Sequence, residues 1–118
     1  MKKFKEMTKE EKKELAGGAI LVGAGAIFGA VAMKYGIDLK EQHFLKTHTD
    51  VIPQVFTAHK KTDPSDVGYV LALNYVNPKN NHTVQRASVV YKDPEIVKGL
   101  GEMITEWSEE RIAELAGE

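Results

Sequence analysis

The sequence predicts an α+β chain: an N-terminal Gly/Ala-rich apolar helix, then a small antiparallel β-hairpin or three-stranded sheet with a C-terminal amphipathic helix. Three observations point there. Leu15–Met33 is a run of nineteen residues without a charge. From Asp50 onward the apolar residues switch from helical spacing to alternation. Asp93-Pro94-Glu95 then opens a segment whose apolar residues recur every three to four positions.

At 118 residues with a net charge of -1, the chain has room for one domain plus a short appendage, and no global basic field to gather nucleic acid. With no cysteine, disulfides, thiolate metal sites, cysteine nucleophiles and cysteine-linked lipid anchors are excluded. The expected divisions are 1–14, a charged N-terminal segment; 15–35, an apolar helix and membrane span; 36–50, a juxtamembrane linker or short helix; and 51–118, a small α+β domain.

In the first segment six lysines face Glu6, Glu10, Glu11 and Glu14, a local charge of +2. Their spacing suits a solvated helix. The next nineteen residues, LAGGAILVGAGAIFGAVAM, would cover about 28 Å as a helix, near the thickness of a bilayer core. Lys34 and Tyr35 follow as a snorkelling cation and an interfacial aromatic. On a helical wheel Ile20, Leu21, Ile27, Phe28 and Val31 share one side. Gly18, Ala19, Gly23, Gly25, Ala26, Gly29, Ala30 and Ala32 gather away from it as a small-xxx-small packing surface for helix association. Five glycines and six alanines dilute the hydrophobicity, so insertion would depend on partner helices.

Three alternatives compete for this run. A helix buried in a water-soluble fold would carry five costly glycines. A secretory signal could be cleaved after Ala30-Val31-Ala32, although its charged leader would be unusually long. A dinucleotide loop would need glycine where Phe28 stands.

Asp38–Lys46 reads as a short helix capped by Asp38. Val51–Lys60 reads as a strand that Pro53 confines to a sheet edge. Thr62–Asp66 is a turn. Val67–Val76 places Val67, Tyr69, Leu71, Leu73 and Tyr75 on one face and pairs, across the loop Asn77–His82, with Thr83–Tyr91. In the last helix Ile96, Val97, Leu100, Ile104, Trp107 and Leu115 form the apolar side. Gly99 and Gly101 are expected to break or bend its first turns, and its glutamates to form a solvated face.

Candidate chemistry is sparse. His43, His48, His59 and His82 are scattered, with only His48 and Asp50 spaced to project together from a strand, so no metal site is expected. Ser65, Ser88 and Ser108 lie in no nucleophile motif. Lys60, Lys61, Lys79, Arg86 and Lys92 could form a small basic edge, but the domain is net negative and no nucleic-acid partner is expected. Asn81-His82-Thr83 is a formal glycosylation sequon. The layout recurs in many small bacterial and phage membrane proteins without marking a family.

The sequence therefore predicts no enzyme and no cofactor, and instead a single-span membrane protein that self-associates through its Gly/Ala helix face and displays an interaction domain to an unidentified protein. The lysine bias places the N-terminus in the cytoplasm and the C-terminal domain outside. The alternative is a soluble assembly component whose Gly/Ala helix packs in an oligomeric bundle, as in a phage or secretion particle.

Overall fold

Alternation in the central segments builds an antiparallel sheet with helices on one side. The computed structural model describes residues 3–23, 26–30 and 39–117. After a 3-10 turn at Phe4–Glu6 come α1 (Lys9–Gly17), β1 (Ile20–Gly23), β2 (Ala26–Gly29), α2 (Leu39–Thr47), β3 (Asp50–His59), β4 (Val67–Val76), β5 (Thr83–Ser88) and α3 (Pro94–Ala116). The five strands lie in the order β2-β1-β5-β4-β3, every neighbouring pair antiparallel.

The three expected strands and the C-terminal helix form where alternation and cap chemistry placed them. Asp93 accepts a hydrogen bond from the Glu95 amide at 2.9 Å and Pro94 occupies the first turn of α3. Pro53 sits in β3, an edge strand. The third strand ends at Ser88, and the chain rejoins β4 only at Tyr91, which exchanges two backbone hydrogen bonds with Tyr69. Between the Ala72–Ala87 and Tyr69–Tyr91 pairings β4 has two residues, Val70 and Leu71, and the other strand three, Ser88–Val90, a β-bulge.

Two expectations need correction. The helix expected over 15–35 does not form: Leu15–Gly17 closes α1, while Ile20–Gly23 and Ala26–Gly29 are the two strands of a hairpin. The physical reason lies in the same residues. Glycines weaken a helix at about 0.8–1 kcal/mol each, whereas β-branched Ile20, Val22 and Ile27 suit a pleated surface. Alternation decides the faces, since Leu21 is fully buried while Ile20 and Val22 are half-exposed. Backbone groups that a helix would satisfy internally are satisfied by β5, which pairs Leu21 with Ser88 and Val22 with Ala87. Among the described residues, no helix is long and apolar enough to cross a membrane.

The second correction concerns α3, which runs unbroken through Gly99 and Gly101. Both glycines are packing positions. A Cβ on Gly99 would enter the Phe4 ring, and one on Gly101 would press on Leu71. The core lies between α3 and the sheet, where Leu21, Leu71, Leu73, Tyr75, Val97, Leu100 and Ile104 are buried. Glu102, Glu106, Glu109, Glu110 and Glu114 are exposed on the outer side of α3.

Candidate functional site

Two features of the sheet stand out, a chain of polar and aromatic groups under α2 and an uncovered face opposite.

Helical spacing sets up the first. Glu41, Phe44 and His48 recur at three and four residues, so one side of α2 and its C-terminal end presents them to the sheet. Arg86 meets them from β5, opposite Leu73 in the ladder and thus on the helix-covered face. Its Nη1 and Nη2 donate to the two oxygens of Glu41 at 2.8 and 3.0 Å, a bidentate pair whose side chains are 2% and 5% exposed. The guanidinium lies over the Phe44 ring at 4.1 Å and the Tyr75 ring at 4.9 Å. Tyr75 continues the chain into α3, its hydroxyl 2.9 Å from Ser108 Oγ. Since Ser108 donates its own proton to the Ile104 carbonyl, Tyr75 is the donor to Ser108. Burial pushes the Tyr75 hydroxyl up to about 12.

On the other side, His48 stacks on Phe44 with ring centroids 4.4 Å apart, and its Nε2 lies 2.7 Å from His82 Nδ1. The β4–β5 loop brings His82 there. Asn77 N–H donates to the His82 carbonyl, Asn80 Oδ1 accepts from the His82 amide, and Asn81 takes φ 60°, a conformation asparagine tolerates. Thr47 Oγ1 and the Phe44 carbonyl lie 2.9 and 3.3 Å from His48 Nδ1. Thr47 spends its hydroxyl proton on the carbonyls of His43 and Phe44, so His48 Nδ1 carries the proton and Nε2 accepts from His82. Desolvation lowers the His48 pKa, helped by His82, Arg86 and His43 and opposed by the Phe44 carbonyl.

The second feature follows from strand register. Odd-numbered residues of β4 face the helices, so Gly68, Val70, Ala72, Asn74 and Val76 face away. Their neighbours across the sheet are Ile52, Gln54, Phe56 and Ala58 of β3, Thr83, Gln85 and Ala87 of β5, then Ile20 and Val22 of β1 and Ile27 of β2. No described helix covers this face. Ile20, Val22, Ile27, Ile52 and Phe56 are between 45% and 76% exposed. An amide row crosses it: Gln85 Nε2 donates to Asn74 Oδ1 at 3.0 Å, and Asn74 Nδ2 donates to Gln54 Oε1 at 2.8 Å.

The small residues expected on one helix surface are dispersed. Gly18 is the C-cap of α1, and Ala19 is buried with its carbonyl accepting from Ala30 N–H at 2.9 Å. Gly23 lies where β1 crosses closest to β5, since a Cβ there would strike the Gln85 carbonyl. Ala26 and Gly29 are in β2, and Gly25 and Ala32 fall outside the described residues. The residues that could have formed a basic edge also separate. Arg86 is buried, while Lys60 and Lys92 both pair with Asp66. His48 and His82, unconnected in the sequence, meet; His43 and His59 do not join them, and among the described residues no group of three or more candidate ligands could hold a metal. The Glu41/Phe44/His48 spacing was the available signal for this cluster, but it does not name the partners.

Comparison with protein-family models, curated proteins and solved structures finds no match to this chain.

Proposed function

We propose that this chain is a non-enzymatic assembly protein that works by associating with copies of itself. The observation that carries the reading is the exposure of Ile20, Val22, Ile27, Ile52 and Phe56 on a sheet face with no described helix over it. Large apolar side chains exposed together on one sheet face favour an interaction site. The buried polar groups favour the same reading. Glu41 pairs with Arg86 and Tyr75 with Ser108, a use that holds α2 and α3 to the sheet.

Of the two forms of the reading, assembly through the folded domain is favoured over a membrane-anchored one. Anchoring through residues 15–35 would require β1 and β2 to leave the sheet and give up the ladder with β5. The test is fractionation of a C-terminally tagged chain expressed without detergent, followed by sedimentation equilibrium. The expected result is a detergent-free particle whose mass is a multiple of that of the tagged chain, 13.1 kDa plus the tag. Carbonate-resistant membrane association would favour the anchored form, and a monomer at every concentration would end the self-association reading.

A further inference from the structure

We infer that two copies of the chain pack face to face through the uncovered side of the sheet, forming a β-sandwich with helices on its two outer surfaces. This rests on the self-association reading and assigns it a surface and an occupant.

Charge is the first reason. Of the described strand residues on this face only Asp50, at the start of β3, is ionised, in a chain of which 28% is Asp, Glu, Lys or Arg, and Lys60, Asp66 and Lys92 border it beyond Ala58 and Gly68. Charge depletion characterises the core of protein interfaces. A surface held in water would carry lysine and glutamate at positions such as Ile27 and Ile52.

Size is the second. The strands hold 34 residues. At about 4.8 Å between strands and about 3.3 Å per residue this is roughly 540 Å² of flat sheet. The relief of the side chains raises the accessible area further, towards the roughly 800 Å² per partner of a standard interface. Stacked sheets about 10 Å apart would interdigitate Phe56, Ile52, Val70, Val22 and Ile27.

The amide row selects the occupant. Acyl chains offer nothing to Gln54, Asn74 and Gln85, and burying them against lipid would leave amide groups unsatisfied. A second copy brings the same three amides, each both donor and acceptor, and so is complementary to itself. With a two-fold axis along the central strand β5, β1 of one copy lies over β4 of the other and β2 over β3, and the two Gln85 side chains meet near the axis. Association through the β3 edge is disfavoured, because Pro53 interrupts its row of amide donors.

The experiment uses the full chain with two sets of variants. Ile27→Glu combined with Phe56→Glu places charges in the proposed interface at positions exposed in the single copy. Glu102→Lys changes charge on the outer face of α3. Sedimentation equilibrium should show a dimer for the parent and for Glu102→Lys. The double variant should weaken it by on the order of a hundredfold or more, as unpaired buried charges do, with the far-UV circular dichroism unchanged. Independently, Gln85→Cys in this cysteine-free chain should cross-link to dimers with a short bis-maleimide, and Glu102→Cys should not. A parent dimer unaffected by the double variant and not cross-linked through Gln85→Cys overturns the surface while leaving self-association standing. A monomeric parent removes both. A parent recovered only with detergent overturns the second copy as occupant and assigns the face to lipid.

Discussion

The two faces of this sheet are made from neighbouring residues of the same strands, yet they hold opposite stability roles. On the helix-covered face Leu21, Leu71, Leu73 and Tyr75 are at most 1% exposed. One position along, Val22 is 48% exposed, and Ile20, Ile52 and Phe56 are similarly open. Apolar content does not distinguish the faces. What does is whether a helix lies over them, and that follows from where α2 and α3 dock. The covered face secures the fold of one copy, and the open face, in our proposal, secures the assembly.

The sharpest way to separate these roles starts under α2. Replacing Arg86 by Leu leaves the Glu41 carboxylate buried without its guanidinium and should cost about 3–5 kcal/mol of unfolding free energy in urea titration. Adding Glu41→Leu should restore much of that loss, since two apolar groups replace a desolvated pair. If the double variant is no more stable than Arg86→Leu alone, the pair is not the unit that holds α2.

The hairpin permits a comparison between adjacent residues. Leu21→Ala should cost about 2–5 kcal/mol, as expected for a fully buried leucine. Val22→Ala, on the open face, should cost less than about 1 kcal/mol in dilute solution and act chiefly on association. Equal losses at the two positions would contradict the register of β1 with β5 and reopen the helical reading of this segment.

The smallest expected effect is on pH dependence. The His48 pKa is lowered from 6.5, first by desolvation. The native state therefore binds fewer protons than the unfolded chain, so this contribution is present above about pH 6.5 and is lost as the pH falls from there through the lower folded value. Protonation of His48 at Nε2 also removes the lone pair that accepts the hydrogen bond from His82. Stability measured by urea titration should decline modestly on acidification through this window, and His48→Gln should flatten the decline. An unchanged slope in the variant would show that the pair does not pin the β4–β5 loop to α2.

Much of the fold was legible because its signals are local. The Asp93-Pro94 start of α3, the edge role of Pro53 and the alternation of Val67–Val76 each depend on residues within a few positions of one another. The candidate surface was half legible. Ile20 and Ile27 belong to the bulky stripe of the helix that the sequence predicts, but on that helix they share a side with Leu21, which the sheet buries on its opposite face. His48 with His82 and Glu41 with Arg86 are 34 and 45 residues apart, and no spacing rule joins groups at that distance.

By itself the sequence determined the three central strands, the C-terminal helix and the absence of cysteine chemistry, since backbone propensity, capping and side-chain alternation act over one or two turns of chain. Only the tertiary structure decided the state of Ile20–Gly29. That stretch pairs small residues four apart, as a packed helix does, and β-branched residues two apart, as a strand does, so its local energies nearly balance. The open edge of β5 tips the balance by satisfying the backbone of β1, and it exists only once the β4–β5 hairpin has formed. The same docking step leaves one sheet face bare, because both α2 and α3 lie on the other.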